Sequence, residues 1–331
     1  MFAISALLPA FALPTTGPGA ALYATDAYPG FDSESEIVSP GRKEPRWFGF
    51  IFGPKMDSAA EQMAWCKSLE GERRFSKAIG EYDALVREWP FSPEAPEAQR
   101  RMADLLLDAG ELEDAIAEYR YLLDFYRSQC DYSGVARLLF KCCEMWRDEG
   151  KRFVFFRFAT TIDVRRAYEA LVLRAPGETF APAAMLVIAG LREDEDKLDE
   201  AVAVYGNLRN IHPGSEAAHE AVFREAAARL RLLEKKGYNV SRCKDTVSFL
   251  RQAVELNAAD ARAGELREMF ERAKALYEEE CWKAARFYDS PTRTKRSAYS
   301  ALEGFVEEHP ASPHVEEAKA RMAELREEGQ R

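Results

Sequence analysis

The sequence predicts an all-α fold built from consecutive helix pairs, and three observations support this prediction. After Asp57 the chain is rich in Ala, Glu, Leu and Arg, and its apolar residues recur three and four positions apart, as in amphipathic helices. One short spacing pattern recurs along this part of the chain, and a proline follows most copies and ends the helix. About six helix pairs and a C-terminal capping helix account for residues 58–331.

The recurring pattern starts with a small residue, followed by an aromatic residue or Leu four positions later. An apolar residue comes three positions further on, and Pro five after that; Ala78, Tyr82, Leu85 and Pro90 form the first copy. Residues i, i+4 and i+7 lie on one helical face, so the small residue admits a neighbouring helix and the aromatic ring fills the groove beside it. The defining residues of the other copies are Ala115 and Tyr119; Tyr168 and Pro176; Ala201, Tyr205 and Pro213; and Ala298, Phe305 and Pro310.

The distance between copies leaves room for one further helix in each unit. Ala78 and Ala115 are 37 residues apart, as are Val164 and Ala201. This period and the order of residue types resemble the tetratricopeptide repeat, a helix-turn-helix unit of about 34 residues. We expect units at 58–92, 93–130, 131–178, 179–215, 216–258 and 262–312. Residues 313–331 carry apolar side chains on one face only, which suits a helix that caps the end of a solenoid.

The first 57 residues differ in composition, since they hold 13 of the 35 Gly and Pro residues. The apolar stretch from Phe2 to Leu13 is too short to span a bilayer, and Ala24 is a suitable small residue before a cleavage point. Residues 1–24 are therefore predicted to be a signal peptide, although no Lys or Arg precedes the apolar stretch. Residues 25–57 are predicted to be a linker. No Cys lies near the cleavage point, so lipid attachment is not predicted.

Two aromatic segments are candidate partner-binding sites. Residues 46–54 of the linker could contact a partner or a membrane interface, or could fold back and cap the first repeat. The third unit is stretched by an aromatic segment at 153–158, which could pack under the neighbouring helix pair or dock a partner. The candidate residues are Trp47, Phe48, Phe50 and Phe52 in the linker, and Phe155 and Phe156 in the third unit.

Charge and motif content exclude several function classes. The chain has 46 Lys and Arg against 56 Asp and Glu, a net charge of −10, which disfavours nucleic-acid binding. The six cysteines form no C-x-x-C pair and have no His at metal-ligand spacing, and phosphate-binding and H-E-x-x-H motifs are absent from the sequence. We therefore predict no catalytic, cofactor-binding or metal-binding residues. The charged run at 192–196 is interpreted as solvated turn charge.

Longer phrases around the prolines carry a more specific resemblance. Residues 89–95 read Trp-Pro-Phe-Ser-Pro-Glu-Ala, residues 309–315 read His-Pro-Ala-Ser-Pro-His-Val, and 212–217 is a weaker version. With these phrases, residues 60–325 resemble tetratricopeptide proteins of the bacterial envelope, in particular the BamD-like subunit of the outer-membrane β-barrel assembly machine. The chain departs from that family in having no Cys for lipidation and in carrying an extra unit.

The resemblance implies a non-catalytic scaffold that is periplasmic or associated with the outer membrane. Such a protein presents a concave helical surface to an extended or helical partner segment, through side chains of the first helix of each pair. Arg101 and Arg137 are the candidate contacts on these helices, although both also fit a structural role. Two alternatives stay open: a soluble envelope coordinator of the Tol-Pal associated type, and a general tetratricopeptide chaperone or adaptor.

Overall fold

The computed structural model describes Tyr28, Phe31 and residues 53–152, 161–235, 239–290 and 293–330. These residues form thirteen α-helices, and within them there is no β-strand, so the predicted all-α helix-pair architecture is confirmed. The helices are α1 Ala59–Gly71, α2 Phe75–Glu88, α3 Ala95–Ala109, α4 Leu112–Phe125, α5 Tyr132–Arg152, α6 Thr161–Arg174, α7 Ala181–Asp194, α8 Leu198–Ile211, α9 Glu216–Glu234, α10 Val240–Leu256, α11 Ala263–Tyr288, α12 Lys295–Glu308 and α13 Val315–Gln330.

The chain divides into two compact units, residues 1–191 and 192–331, and α7 spans the boundary. In the first unit consecutive helices from α1 to α6 pack against one another, and α4 also contacts α6. In the second unit the same holds from α8 to α13, with an added contact between α9 and α11. Packing between neighbours in sequence is the property that defines a helical repeat protein.

Five of the six joints that follow a second helix share one turn, and the joint after α4 is the exception. At the end of α2 the carbonyl of Trp89 accepts from the amide of Ser92 at 3.0 Å, and the Ser92 carbonyl accepts from Ala95 at 3.2 Å. The same two bonds, at the same spacing, occur after Ala175, His212, Asn257 and His309. A proline follows directly in four of these five joints, and it ends the helix because it has no amide hydrogen to donate.

The turns inside three of the pairs also share one geometry. Arg73, Gly110 and Asp196 adopt a left-handed backbone, with φ of 57°, 78° and 59°. The amide that follows each of them donates to the carbonyl five residues earlier, for example from Arg74 to Leu69 at 2.8 Å. This bond closes the end of the first helix. Only Gly110 is the residue type that adopts this backbone without strain.

The residues of the recurring pattern lie inside the helix pairs. Each of the small and aromatic pattern residues is at most 4% exposed. These residues are Ala78, Tyr82, Ala115, Tyr119, Tyr168, Ala201, Tyr205, Ala298 and Phe305.

The interpretation of residues 192–196 as solvated turn charge is wrong at Arg192. Its side chain is fully buried, and a guanidinium nitrogen lies 2.8 Å from the carboxylate of Glu200 and 3.6 Å from that of Glu195. A buried guanidinium needs carboxylate partners, and here Glu195 of the turn and Glu200 of α8 supply them.

None of the helices described in the structure is both long and apolar enough to cross a membrane.

Candidate protein-interaction surface

A tyrosine–carboxylate hydrogen bond recurs in four helix pairs. In each pair the buried pattern tyrosine on the second helix donates from its hydroxyl to a carboxylate in the C-terminal half of the first helix. A buried phenol needs such a partner, because an unpaired hydroxyl would lose its bonds to water. The four bonds are Tyr82 to Glu70, Tyr119 to Asp104 at 2.6 Å, Tyr168 to Glu144, and Tyr205 to Glu193 at 2.5 Å.

These surroundings also fix the protonation state of the tyrosines. Burial raises the pKa of each of the four phenols above its ordinary value, and the hydrogen bond to the carboxylate raises it further. The hydroxyls are therefore protonated donors at neutral pH and in mild alkali. The carboxylates act as the acceptors.

An arginine completes each arrangement. The carboxylate that accepts from tyrosine also accepts from a guanidinium, either on its own helix or on the next first helix. For Glu70, burial opposes ionisation, but the hydrogen bonds from Arg101 and Tyr82 outweigh it and lower the pKa. The four arginine–carboxylate pairs are Arg101–Glu70, Arg100–Asp104 at 2.8 Å, Arg147–Glu144 at 2.7 Å and Arg231–Glu193 at 2.8 Å.

Arg101 combines a fixed position with access to solvent. Its side chain is 41% exposed, whereas its partner Glu70 is 14% exposed. Beside this pair, Lys67 of α1 lies 2.8 Å from Glu97 of α3, with both side chains about half exposed. The first helices of these two pairs therefore present an ordered set of charges, and a guanidinium held in this way can still bind a further carboxylate.

The predicted partner residues are not all joined in one site. Arg101 is part of the charged set between α1 and α3, whereas Arg137 is exposed on the next first helix, α5, and forms no ion pair with the residues that the structure describes. The aromatic candidates Trp47, Phe48, Phe50, Phe52, Phe155 and Phe156 lie outside the residues that the structure describes, as does the predicted signal peptide at 1–24.

The structure adds a buried clamp that the sequence analysis missed. In the first pair the Gln62 amide donates to the Glu81 carboxylate at 2.8 Å and to its backbone carbonyl at 3.3 Å. In the second pair Gln99 makes the same two bonds to Glu118, at 2.7 and 3.0 Å. The signal was available, because both Gln and Glu recur at 37 residues and each Glu directly precedes a pattern tyrosine.

Comparison with protein-family models and with curated proteins gave no match. Solved structures similar to this chain include MamA residues 41 to the end from Desulfovibrio magneticus RS-1, with 11% identity over 62% of this chain and 98% of that one, and a TM-score of 0.29. The TPR2AB domain of yeast Sti1 in its pHSP90 complex is 16% identical over 66% and 86%, with a TM-score of 0.29. A tetratricopeptide repeat protein from Parabacteroides merdae ATCC 43184 is 13% identical over 82% and 99%, with a TM-score of 0.30. Since these scores are low, the assignment of the fold rests on the helix pairs described above.

Proposed function

We propose that this protein is a non-catalytic scaffold that binds a segment of a partner protein through the first helices of its repeats. The observation that carries the proposal is the half-exposed guanidinium of Arg101, held in place by Glu70. A side chain that is ordered before binding loses less conformational entropy when a partner arrives. Its remaining donors favour a partner segment that carries a carboxylate.

A more specific proposal concerns the cellular role. The proline-serine phrases at 89–95 and 309–315 support a BamD-like component of outer-membrane protein assembly in the periplasm. Under this proposal residues 1–24 are removed on export, and residues 46–54 make a peripheral contact with the membrane or a partner. A Tol-Pal associated coordinator and a general tetratricopeptide chaperone or adaptor are the alternatives.

Site-specific photo-crosslinking in cells tests the binding surface. A photoreactive amino acid at Arg137 of α5 should crosslink to a partner, and the matched control is Ala117, which is exposed on a second helix, α4. Changing Arg101 to Glu in the Arg137-labelled chain should reduce the crosslink, because the guanidinium is replaced by a repelling carboxylate. Equal crosslinking from Arg137 and Ala117, unaffected by Arg101→Glu, would contradict the proposal.

Fractionation with mass spectrometry of the mature N-terminus tests the cellular role. An N-terminus near Thr25, together with crosslinked β-barrel assembly proteins, supports the BamD-like role. An intact Met1 in the cytosolic fraction would contradict an envelope role and favour the chaperone or adaptor. A hydrolytic turnover by the pure protein that disappears with a single substitution would contradict the non-catalytic assignment.

A further inference from the structure

Three side chains with metal-binding chemistry meet in the second unit, where the end of α12 lies beside α11. They are Cys281 of α11, Glu308 at the end of α12, and His309, which directly follows it. The thiol sulfur, a carboxylate oxygen and a ring nitrogen all lie within 4.8 Å of one another. Cys281 and His309 are 28 residues apart in sequence, so no short ligand spacing reveals this cluster.

Neighbouring aromatic residues fix the positions of two of the three side chains. The His309 ring packs edge-on against Tyr277, with centroids 5.3 Å apart, and at a tilt against Phe305, with centroids 5.2 Å apart. The Tyr277 hydroxyl donates to the Glu308 carboxylate at 2.7 Å. Partners that orient a ligand in this way are typical of protein metal sites, where each ligand is itself hydrogen-bonded.

His309 also has an unused nitrogen. Its Nε2 is shielded from solvent and has no hydrogen-bond partner among the described residues. His212 fills the same position at an earlier joint and has the same shielded Nε2. At that joint the preceding residue is Ile211 rather than a carboxylate. The chain therefore contains a matched histidine that lacks the acidic neighbour.

We propose that Cys281, Glu308 and His309 bind a zinc-type divalent transition metal ion. A thiolate, an imidazole and a carboxylate are ligands that Zn²⁺ takes, whereas Mg²⁺ and Ca²⁺ prefer oxygen ligands alone. Three protein ligands leave a fourth tetrahedral position for water or for a group on a partner. Bond lengths of about 2.0–2.3 Å require the three side chains to close by roughly 1 Å.

Two features of the cluster limit the affinity. A thiol binds a metal as the thiolate, so Cys281 must release a proton when the metal binds. The ammonium of Lys244 lies 3.5 Å from a Glu308 oxygen and competes for that carboxylate. The site therefore suits a reversible or partner-dependent metal rather than one that the fold needs in order to form.

Titration of the full chain, without an affinity tag, with Co²⁺ tests the proposal. Binding of one equivalent should produce a thiolate-to-cobalt charge-transfer band, which Zn²⁺ should then remove by displacing the Co²⁺. Cys281→Ser should abolish the band, and His309→Asn and Glu308→Gln should each weaken binding at least tenfold. Tyr277→Phe should weaken it by about tenfold or more, since outer partners contribute this much.

The controls are His212→Asn and Cys130→Ser, which remove the same side-chain types elsewhere and should leave binding unchanged. Circular dichroism establishes that each variant folds, and a rise in melting temperature with Zn²⁺, present in the wild type and absent in Glu308→Gln, gives a second readout. The proposal fails if the full chain shows no thiolate–cobalt band. It also fails if His212→Asn weakens binding as much as His309→Asn.

Discussion

Two arginine–aspartate pairs, one in each unit, have the same hydrogen-bond geometry in different surroundings. In the first unit Arg174 donates from Nε and Nη2 to the two carboxylate oxygens of Asp124, at 2.7 and 2.6 Å. In the second unit Arg321 makes the same two bonds to Asp289, at 2.8 and 3.0 Å. The first pair is 0% and 6% exposed, and the second 34% and 24%.

This comparison shows that geometry alone does not set the energy of an ion pair. Water screens the charges of the exposed pair and solvates either partner if the other is lost. Water cannot reach the buried pair, so a charge left there without its partner stays unsolvated. A second cation, the partly buried Arg120, lies near the first pair. Burial, and repulsion by Arg174, lower the pKa of Arg120 to about 10. Asp124 therefore offsets the buried positive charge of Arg174 and also interacts favourably with that of Arg120.

The largest effect on stability is expected at high pH, where the buried phenols of both units ionise. Their pKa values are raised above the ordinary value of about 10, so the protonated phenols stabilise the folded state fully below that pH. This contribution to the free energy of unfolding is lost as the pH rises further. We expect both units to unfold in alkali, with phenolate absorbance and loss of helical circular dichroism in one step. Ionisation of all tyrosines near pH 10 with unchanged helicity would contradict their burial.

The next largest effect is expected when the buried Arg174–Asp124 pair is broken by substitution. Asp124→Leu leaves Arg174 buried without its carboxylate, which should cost about 3–5 kcal/mol of unfolding free energy. Denaturant unfolding measures this value. The double variant Asp124→Leu with Arg174→Met should recover part of the loss, because it removes a buried unpaired charge. A loss below about 1 kcal/mol in the single variant would show that the buried pair contributes no more to stability than the exposed pair does.

The glutamine clamp tests whether burial has the same consequence for a neutral donor. Gln99→Leu removes both bonds to Glu118, which is itself only 6% exposed, so we expect a loss of about 1–3 kcal/mol. Replacing Glu118 by Leu in the same chain should return part of this loss. Thermal and denaturant unfolding of the two variants provide the measurement. If the losses from the two substitutions simply added in the double variant, Gln99 and Glu118 would not be energetically coupled.

A smaller effect concerns the left-handed turn residues. Gly110→Ala should destabilise the chain by about 1 kcal/mol, and Arg73→Gly should stabilise it by a similar or smaller amount. A Cβ at Gly110 would meet nothing within 4 Å, so the expected cost comes from the backbone alone. Opposite signs in the two melting temperatures are the expected result. Equal signs would show that the two turns are not equivalent.

The smallest effect is expected at the exposed Arg321–Asp289 pair. Asp289→Leu removes the exposed carboxylate and should cost less than about 1 kcal/mol, with a difference that shrinks further in high salt. Denaturant unfolding at low and high salt checks both statements. A loss as large as that of Asp124→Leu would show that the shared geometry, rather than burial, sets the energy.

Part of the candidate site could be predicted from the sequence. Arg101 is identified there as a residue of a first helix, and its exposure follows from helical periodicity. Its partner Glu70 could not be identified, because the two lie on different helices 31 residues apart. The four carboxylates lie 12, 15, 24 and 12 residues before their tyrosines, so no single spacing predicts them all.

The sequence by itself determined the order of the helix pairs and the joints between them. Helical periodicity, the small-aromatic pattern and the prolines act within one or two turns, so they can be interpreted without knowing what packs nearby. Tertiary structure alone decided which charges are buried. Asp124 and Arg174 are 50 residues apart, and Cys281 and His309 lie on neighbouring elements of another pair. Such partners are selected by the packing of one helix on another, which brings distant residues together and removes their water.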